Sequence, residues 1–400
     1  MTSWKTYRLG DVIDKVIDNR GKSAPTSDEK YSPIIEINSI GDRNPNYDVV
    51  RKWVSKGTYD TWFRSGHPMI GDILIPTVGT IGIVSIMREN KGCIAQNIVA
   101  LRTNEKAHNL YLYYFLKSEY VKQELLNLNI GGVQPSIKVP HLLNLEISLP
   151  SMEEQRRIAG ILGAIDDKIE NNRRINTNLE LQAQALFDNL MSNSNLEYKL
   201  IADIDHIIET GRRPKGGVAN ITSGVPSIGA ENIKGLGKYD YSKTKYITAE
   251  FAETLKKGII KGYELLIYKD GGKPGYFIPN FSIFGEGFPY DNMTLNEHVF
   301  LLDFGNKGYN FFAYFYMQTE EVMKYLNAQG SKAAIPGINR NDVENISIPT
   351  IENEAVKEFC ERIEPIITSI LVNSKESSRL ATLRDSLLPK LMNGEIKVTE

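Results

Sequence analysis

The second half of the chain repeats the first, and this internal duplication restricts the possible folds more than any other feature. Tyr7-Arg8-Leu9 opens one half and Tyr198-Lys199-Leu200 opens the other. Ile147-Ser148-Leu149-Pro150 is matched, later in the same order, by Ile346-Ser347-Ile348-Pro349. The similarity is weak at single positions, but its order is kept along the chain. The duplication therefore predicts two copies of one structural unit.

Each copy divides into a globular part and a helical part. In the globular parts, short apolar runs such as residues 70–75 and 263–268 are bounded by Gly, Pro and Asn, which predicts strands and turns. Near the end of each globule, an aromatic-rich segment, 110–127 or 309–327, predicts one helix. The expected fold class is therefore α+β, with two globular domains.

The boundaries follow from where the helical pattern begins and ends. We expect globular domains at residues 1–150 and 193–350, and long helices at 151–192 and 351–400. Ser151 and Glu154 have the spacing of an N-terminal capping box. Apolar residues then recur with spacings of three and four, namely Ile158, Ile161, Ile165, Ile175, Leu179 and Leu186, and in the second copy Val356, Phe359, Ile363, Ile366, Ile370, Leu380, Leu387 and Leu391. At ~1.5 Å per residue, the first helix would be about 60 Å long.

The two helices are expected to pair with each other. An isolated amphipathic helix is marginal in water, so each apolar stripe needs a partner. The chain order of globule, helix, globule and helix predicts an antiparallel coiled coil with a pseudo-two-fold axis and a globule at each end. Asn172 and Asn373 lie near the helix midpoints, where they could meet and set the register. The alternative is that each asparagine faces solvent.

Composition places the chain among folded proteins of more than one domain. It has 400 residues, of which 41% are hydrophobic and 24% charged. No apolar run approaches the roughly 18 residues of a membrane span, and no signal-peptide core follows Met1, so a cytoplasmic location is expected. Cys93 and Cys360 are expected to be reduced thiols. The five histidines are scattered, so neither a metal nor another cofactor is expected.

Three segments together carry a resemblance to a known family. The central one runs from Gly131-Gly132-Val133-Gln134-Pro135-Ser136-Ile137 through residues 145–150 to Glu153-Glu154-Gln155-Arg156-Arg157-Ile158-Ala159. The others are the start, Leu9-Gly10-Asp11-Val12-Ile13, and the ending, residues 380–396. In this order they resemble the specificity subunits of type I restriction–modification enzymes, and the resemblance covers the whole chain.

This resemblance implies a non-catalytic subunit that recognises DNA. Each globule would be a target recognition domain that reads one half of a bipartite, gapped site in double-stranded DNA. The helices would set the gap and dock two methyltransferase subunits, with restriction subunits joining outside. No membrane partner is expected.

Glycine-containing loops with basic, amide or hydroxyl side chains are the candidates for DNA contacts. Such side chains, together with backbone N–H groups, bind phosphates and base edges. In the first globule the candidates are Arg20, Lys22, Arg43, Asn44, Arg51, Lys52, Thr77, Gly79, Thr80, Gln134 and Ser136. In the second they are Arg212, Arg213, Lys215, Asn232, Lys234, Lys269, Gly271, Gly272, Lys273 and Lys332. For each one, the alternative is a solvated surface charge or a plain turn.

Two other functions stay open from the sequence. A self-contained methyltransferase or nuclease would need catalytic motifs, and the one Asn-Pro segment, Asn44-Pro45-Asn46-Tyr47, lacks the second proline of a methyltransferase site. A coiled-coil scaffold that binds only proteins would show no salt-dependent affinity for DNA. A DNA reader would lose affinity steeply with salt, because each neutralised phosphate releases counterions.

Overall fold

The computed structural model describes residues 4–19, 21–129, 131, 135–193, 195–271, 275–331 and 336–398. The chain forms two compact units. Unit 1 comprises Met1–Asp167 with Leu380–Glu400, and unit 2 comprises Lys168–Arg379. Both units contain sheets and helices, so the predicted α+β fold class is confirmed.

Unit 1 contains short strands and mostly short helices. Its strands are β1 (Lys5–Arg8), β2 (Ile13–Asp18), β3 (Ser32–Ile35), β4 (Trp53–Val54), β5 (Ile73–Pro76), β6 (Ser85–Ile86), β7 (Cys93–Ile94), β8 (Ile98–Thr103) and β9 (Glu146–Leu149). Its helices are α1 (Lys56–Thr61), α2 (Asn109–Lys117), α3 (Glu119–Asn127), α4 (Val139–Leu143) and the first part of α5 (Met152–Asn193).

Three sheets organise unit 1. The main sheet has the order β2-β8-β5-β6 and is antiparallel throughout. A second sheet, β4-β3-β7, pairs β3 with β7 in parallel, and β1 pairs with β9. Strands β5 and β8 are buried, because α2 and α5 pack with them in one apolar core.

Unit 2 repeats this set of elements. Its strands are β10 (Tyr198–Leu200), β11 (Ile207–Thr210), β12 (Val225–Ile228), β13 (Gly235–Leu236), β14 (Lys245–Ile247), β15 (Leu265–Tyr268), β16 (Phe281–Ile283), β17 (Thr294–Leu295), β18 (Val299–Asp303) and β19 (Ser347–Pro349). Its helices are α6 (Ala249–Glu253), α7 (Lys307–Tyr316), α8 (Glu320–Gly330), α9 (Arg340–Glu344) and α10 (Glu354–Met392), of which residues 380–392 belong to unit 1.

The sheets of unit 2 have the same connections, with one added strand. The main sheet has the order β11-β18-β15-β16-β13, in which β13 is the additional edge strand. The sheet β14-β12-β17 and the pair β10–β19 correspond to β4-β3-β7 and β1–β9. The internal repeat read from the sequence is therefore a repeat of topology.

The structure corrects the repeat alignment at both strands of this pair. Leu9 N donates to Leu145 O at 2.8 Å, and Ile201 N donates to Ile346 O at 2.9 Å. Ile201 therefore takes the place of Leu9, one residue after Leu200 of the sequence alignment, and Ile346 takes the place of Leu145, although its motif matched Ile147 in the sequence. The shift of two residues in β19 keeps every side chain on its original face of the strand, which is why the sequence pattern did not reveal it.

A second correction concerns the aromatic helices. Residues 110–127 were expected to form one helix, but α2 ends at Lys117 and α3 begins at Glu119. Ser118 adopts an extended conformation between them, and its hydroxyl accepts a hydrogen bond from Val121 N, so it caps α3. In unit 2 the segment 309–327 is likewise divided between α7 and α8.

The long helices pair in antiparallel fashion within each unit. In unit 2, Lys168 Nζ lies 3.1 Å from Glu376 Oε2, and Asn176 Nδ2 donates to Ile370 O at 3.1 Å. In unit 1, Arg384 Nη1 donates to Asp166 Oδ1 at 2.7 Å. The predicted long helices and their antiparallel pairing are therefore confirmed. No helix in the described part of the chain combines the length and apolar character that a membrane span requires.

Asn172 and Asn373 both lie where the helices pair in unit 2. Asn172 is buried, and its Nδ2 donates to Glu376 Oε2 at 2.7 Å and to Ser377 Oγ at 3.2 Å. Asn373 Nδ2 donates instead to Asn176 Oδ1 at 2.9 Å. The two asparagines therefore do not pair through their side chains, although Asn172 Nδ2 approaches the backbone carbonyl of Asn373 at 3.5 Å. Their role in register stays a prediction.

A polar cluster joins the globule of unit 1 to its helices. Asp166, which is 6% exposed, accepts hydrogen bonds from Arg384 Nη1 and from the Tyr114 hydroxyl, both at 2.7 Å. Burial by itself would raise the pKa of the Asp166 carboxyl, but these two hydrogen bonds and the charge of Lys117 hold the pKa below its ordinary value. The carboxylate is therefore charged in the folded protein at neutral pH.

This cluster predicts how stability responds to acid. Because folding lowers the pKa of Asp166, its contribution is present above the ordinary value of 3.8 and is lost as the pH falls through the lowered pKa. Asp166→Asn should lower the free energy of unfolding by about 3 kcal/mol at pH 7, since Arg384 loses its buried carboxylate partner and keeps only the exposed Asp385. Below about pH 4 the difference from wild type should shrink, which denaturation with urea at several pH values would measure.

Glu153→Gln is the matched control. Glu153 is 75% exposed, and it forms an ion pair with Arg157 one turn further along α5. Its replacement should cost less than about 1 kcal/mol. Equal losses for the two variants would show that burial of the Asp166 pair contributes no additional stability.

Candidate nucleic-acid interface

Two of the candidate loops in the first half of the sequence lie at one edge of the main sheet of unit 1. In the antiparallel order β2-β8-β5, the end of β2 and the end of β5 both lie opposite the start of β8. The register pairs Asp18 with Val99 and Pro76 with Ile98. The turn after β2, which carries Lys22, and the Gly-Thr loop after β5 therefore leave the sheet on the same side.

Two loops that are far apart in sequence are hydrogen-bonded at this edge. Gly79 N donates to Pro135 O, and Ile137 N donates to Thr77 O, both at 2.8 Å. Val78 and Ser136 form an isolated bridge between these two bonds. The Gly-Thr loop and the Pro-Ser segment, predicted independently as DNA contacts, are therefore one surface.

Unit 2 has the same hydrogen bonds at the same edge. Gly271 N donates to Pro336 O at 2.9 Å, and Ile338 N donates to Lys269 O at 2.8 Å. Lys269 N donates to His298 O, just as Thr77 N donates to Asn97 O in unit 1. Lys269 and Gly271 are therefore the structural equivalents of Thr77 and Gly79.

Glycine is required at Gly271 for a steric reason. Its φ is +133°, and a Cβ there would collide with the hydroxyl of Tyr268. The loop can pass this close to the strand end because no side chain is present. Gly79, at φ +89°, occupies the equivalent position.

A charged network covers the edge in unit 2. Arg213 pairs with Glu297, its Nε lying 2.5 Å from Oε1, and Arg213 Nη2 lies 2.6 Å from Nε2 of His298. His298 Nδ1 is hydrogen-bonded to Asp270, and Lys269 Nζ donates to Glu297 O at 3.2 Å. Three loops, those after β11 and β15 and the one before β18, thus share one polar network.

Both residues of the Arg213–Glu297 pair are charged. The hydrogen bond to Glu297 raises the pKa of the Arg213 guanidinium above its ordinary value. Burial alone would raise the pKa of the Glu297 carboxyl, but the hydrogen bond from Arg213 brings it below its ordinary value. The second carboxylate oxygen, Oε2, is buried and has no hydrogen-bond partner among the residues that the structure describes.

Each edge contains a cavity. In unit 1, Lys22 and Lys52 line a cavity of about 400 Å³ together with Trp62, Gln96 and Asn97. Lys52 is paired there with Glu36 at 2.7 Å. In unit 2, a more open cavity of about 570 Å³ is lined by Arg212, Arg213, Pro214, Gly217 and Glu297. Both cavities therefore present cationic side chains beside hydrogen-bonding groups.

The remaining described candidates lie on the surface or at the edge of a loop. Arg51, Thr80, Arg212, Lys215 and Lys234 are exposed. Asn44 is half-buried, and its Oδ1 accepts a hydrogen bond from Arg88 N at 3.3 Å. Arg51 donates to the backbone oxygens of Asp48 and Val50, so its guanidinium lies over its own turn.

Three candidates have side chains that are buried or that bind other parts of the same unit. Thr77 is 1% exposed and Asn232 is completely buried, so neither side chain reaches a ligand surface. Thr77 contributes its backbone to the edge, and Asn232 Oδ1 accepts from Gly229 N at 3.0 Å. Arg43 has a 12% exposed side chain that binds Asp167 and the backbone oxygen of Gly163 on α5. It holds a loop against the helix.

Five candidates fall outside the described residues: Arg20, Gln134, Gly272, Lys273 and Lys332. Nothing in the structure bears on them, and they stay sequence predictions.

The sequence did not predict the polar pair that precedes β8 and β18, the second strand in the order of each main sheet. Gln96 and Asn97 precede β8, and Glu297 and His298 precede β18. Asn97 Oδ1, like Glu297 Oε2, is buried without a hydrogen-bond partner in the described part of the chain. A signal was available, because a polar pair stands before an apolar run at the same place in both copies. This signal is weak because neither pair contains Lys or Arg. In the described residues, no cluster of His, Cys, Asp and Glu could hold a metal ion.

Comparison with known proteins agrees with this organisation. Residues 1–181 match the family described as the type I restriction modification DNA specificity domain. The chain is 26% identical, over 356 residues, to the type I restriction enzyme MjaIX specificity subunit of Methanocaldococcus jannaschii. The alignment covers 82% of this chain and 78% of that relative. The resemblance to type I specificity subunits is confirmed. These relatives are named specificity subunits, in agreement with the expectation of a subunit that is not itself an enzyme.

Two further matches extend over the whole chain. The HindI specificity subunit of Haemophilus influenzae is 23% identical over 481 residues, covering 99% of this chain and 100% of that one. The crystal structure of the type I restriction–modification S subunit from M. genitalium aligns with a TM-score of 0.60 at 15% identity, covering 98% of this chain and 96% of that one. This structural match shows that the specificity-subunit fold is shared.

The steric role of Gly271 gives a direct test of the edge. Gly271→Ala should lower the free energy of unfolding by about 1–3 kcal/mol, because the new Cβ meets Tyr268 in a strained backbone conformation. Chemical denaturation would measure this change. Gly160→Ala, on an open face of α5, is the control and should instead stabilise by about 0.5–1 kcal/mol. If Gly271→Ala were as stable as wild type, the close passage of the loop would be wrong.

Proposed function

We propose that this chain recognises a bipartite DNA sequence, and that each unit reads one half of it. The observation that carries the proposal is the shared edge. In both units, the loop after β2 or β11, the loop after β5 or β15 and the loop before β8 or β18 meet at the same place. The backbone is the same in both, whereas the side chains differ. Two such surfaces would bind DNA in the same way and read different bases.

The side chains at the two edges favour different bases. Gln96 and Asn97 in unit 1 are of the type that binds the N6 and N7 atoms of adenine. Glu297 in unit 2 can accept a hydrogen bond from the N4 amino group of cytosine. Lys22, Arg212 and Lys215 would bind phosphates and thereby position each unit. Asn97 Oδ1 and Glu297 Oε2 have no hydrogen-bond partner in the described part of the chain, so each can accept one from a base.

The helices would serve the rest of the complex. We propose that α5 and α10 set the gap between the half-sites and dock two methyltransferase subunits, with restriction subunits joining outside. Exposed apolar side chains on the helices, such as Leu181 and Val372, which are 65% and 58% exposed, provide surface for such partners. The complex would act in the cytoplasm, where chromosomal DNA is found.

Mapping of modified bases tests the proposed function. The chain would be expressed in a methylation-free bacterial host, alone and with the methyltransferase subunit encoded with it. Modification of one gapped sequence only in the co-expressing cells is expected. Modification by the chain alone would indicate a catalytic site in this protein. If neither culture is modified and the purified complex has no salt-dependent affinity for DNA, the chain is a scaffold for proteins.

The two-reader arrangement predicts a selective effect of Arg212→Ala/Arg213→Ala. Both residues are at the edge of unit 2, so the sequence preference of the second half-site should weaken while that of the first is retained. Methylation maps from cells with the variant complex would show this as loss of information at one half of the motif. Lys22→Ala/Lys52→Ala is the matched variant in unit 1. Loss of both half-site preferences in either variant would contradict separate readers.

The spacer role predicts a change in the gap. Insertion of one heptad into each long helix should lengthen the gap by ~10 Å at ~1.5 Å per residue. That distance corresponds to about three base pairs at ~3.4 Å each. The motif recovered by methylation mapping should therefore keep both half-sites and gain about three unspecified positions. An unchanged gap would show that the helices do not set it.

A further inference from the structure

The junction of globule and helices is polar in unit 1. Tyr114 on α2, Asp166 on α5 and Arg384 on α10 form a buried triad, in which the carboxylate accepts from the other two side chains. Arg384 also pairs with Asp385, on the outside of the triad, at 2.8 Å. Each member satisfies a polar group of another, so the triad tolerates burial only as a complete set.

The same junction in unit 2 is apolar. The buried residues of the two long helices show which positions of α5 and α10 correspond. On α5 they are Gln155, Ile158, Leu162, Ile169, Phe187 and Leu190. At the matching positions of α10 they are Val356, Phe359, Ile363, Ile370, Leu388 and Leu391. In the globules, the residues before α3 and α8, Ser118 and Thr319, define the same register. Phe315, Ile367 and Ala183 then take the places of Tyr114, Asp166 and Arg384.

All three residues of the polar triad are replaced by apolar residues in unit 2. Phe315, Ile367 and Ala183 are buried in one core, and Phe315 stacks on Phe187 at a centroid distance of 5.8 Å. The three residues at each junction are therefore of one kind, all polar in unit 1 and all apolar in unit 2. Three independent substitutions would not be expected to keep this match unless mixed sets were unfavourable.

A junction with both polar and apolar members of the two triads would arise if two identical helices paired. Because the chain is a repeat, α5 could pair antiparallel with α5 of a second copy, and α10 with α10. The first pairing would place Ala183 beside Asp166 and Tyr114 and leave the carboxylate buried without its guanidinium. The second would place Arg384 beside Ile367 and Phe315 and leave it only the exposed Asp385 in place of its buried carboxylate partner. A buried charge without its partner is strongly destabilising, so both pairings are disfavoured.

We infer that these two triads form a pairing code that joins α5 to α10 and opposes exchange with a second copy of this chain. The code breaks the symmetry that the repeat would otherwise allow. Its consequence for recognition rests on the proposed function. An exchanged assembly would contain two identical readers and specify a symmetric site, whereas the code keeps one reader of each kind together.

The test replaces the polar triad by the apolar one in the full chain. In Y114F/D166I/R384A both junctions are apolar, so pairing of identical helices carries no unpaired charge. After refolding from denaturant at high protein concentration, size-exclusion chromatography with light scattering should show a dimer fraction at least about tenfold above that of wild type. Cross-linking of mixed isotope-labelled and unlabelled chains should find α5–α5 links between molecules in those dimers.

The control keeps the charge pairing. R384K retains a cation opposite Asp166 and should remain at the wild-type dimer fraction. If the triple variant folds with wild-type helix content and also keeps the wild-type dimer fraction, the pairing code is overturned. If the triple variant does not fold, D166I/R384A takes its place, because it removes both charges and leaves one hydroxyl unmatched. No DNA is present in this measurement, so its failure and that of the proposed function are distinguishable.

Discussion

Pairing of the two long helices is the interaction on which both units depend, because each core is completed by the helix that begins in the other copy. The core of unit 1 includes Leu388, Leu391 and Met392, from the end of α10. The core of unit 2 includes Ala183 and Phe187, from the second half of α5. Neither copy therefore buries its apolar surface with its own residues alone. Loss of the helix pairing would expose apolar surface in both cores at once.

This dependence separates the parts of the protein that provide stability from those that provide specificity. The edge of each main sheet is held by backbone hydrogen bonds, such as Gly79 N to Pro135 O and Gly271 N to Pro336 O. Backbone bonds do not depend on side-chain identity, apart from the glycines that allow close approach. The side chains on these loops are thus free to change, and the half-site could change with them while the scaffold is retained.

The junctions show the opposite situation, in which side-chain identity is constrained. A buried ion pair such as Asp166–Arg384 adds little stability compared with apolar residues of similar volume, because desolvation offsets much of the attraction. The presence of this ion pair in unit 1 alone is better explained by discrimination between helix partners than by a gain in the stability of the fold. The apolar junction of unit 2, built around Phe187, Phe312 and Phe359, provides the contrast that makes the discrimination work.

Local and periodic features were determined by the sequence itself. The repeat, the α+β composition of each copy, the capping serine Ser151 and the seam of the long helices all depend on short-range order, and the Ser151 hydroxyl does accept from Glu154 N. The sequence also placed Lys22 and Gly79 of the first copy, and Arg213 of the second, in glycine-containing loops. Only the tertiary structure decided that Thr77 and Asn232 are buried, that α2 and α3 are separate helices, and that Gln96 and Glu297 stand beside those loops. These outcomes depend on which strands pair and in which register. Strand register is set by contacts between residues far apart in the chain, which local periodicity does not record.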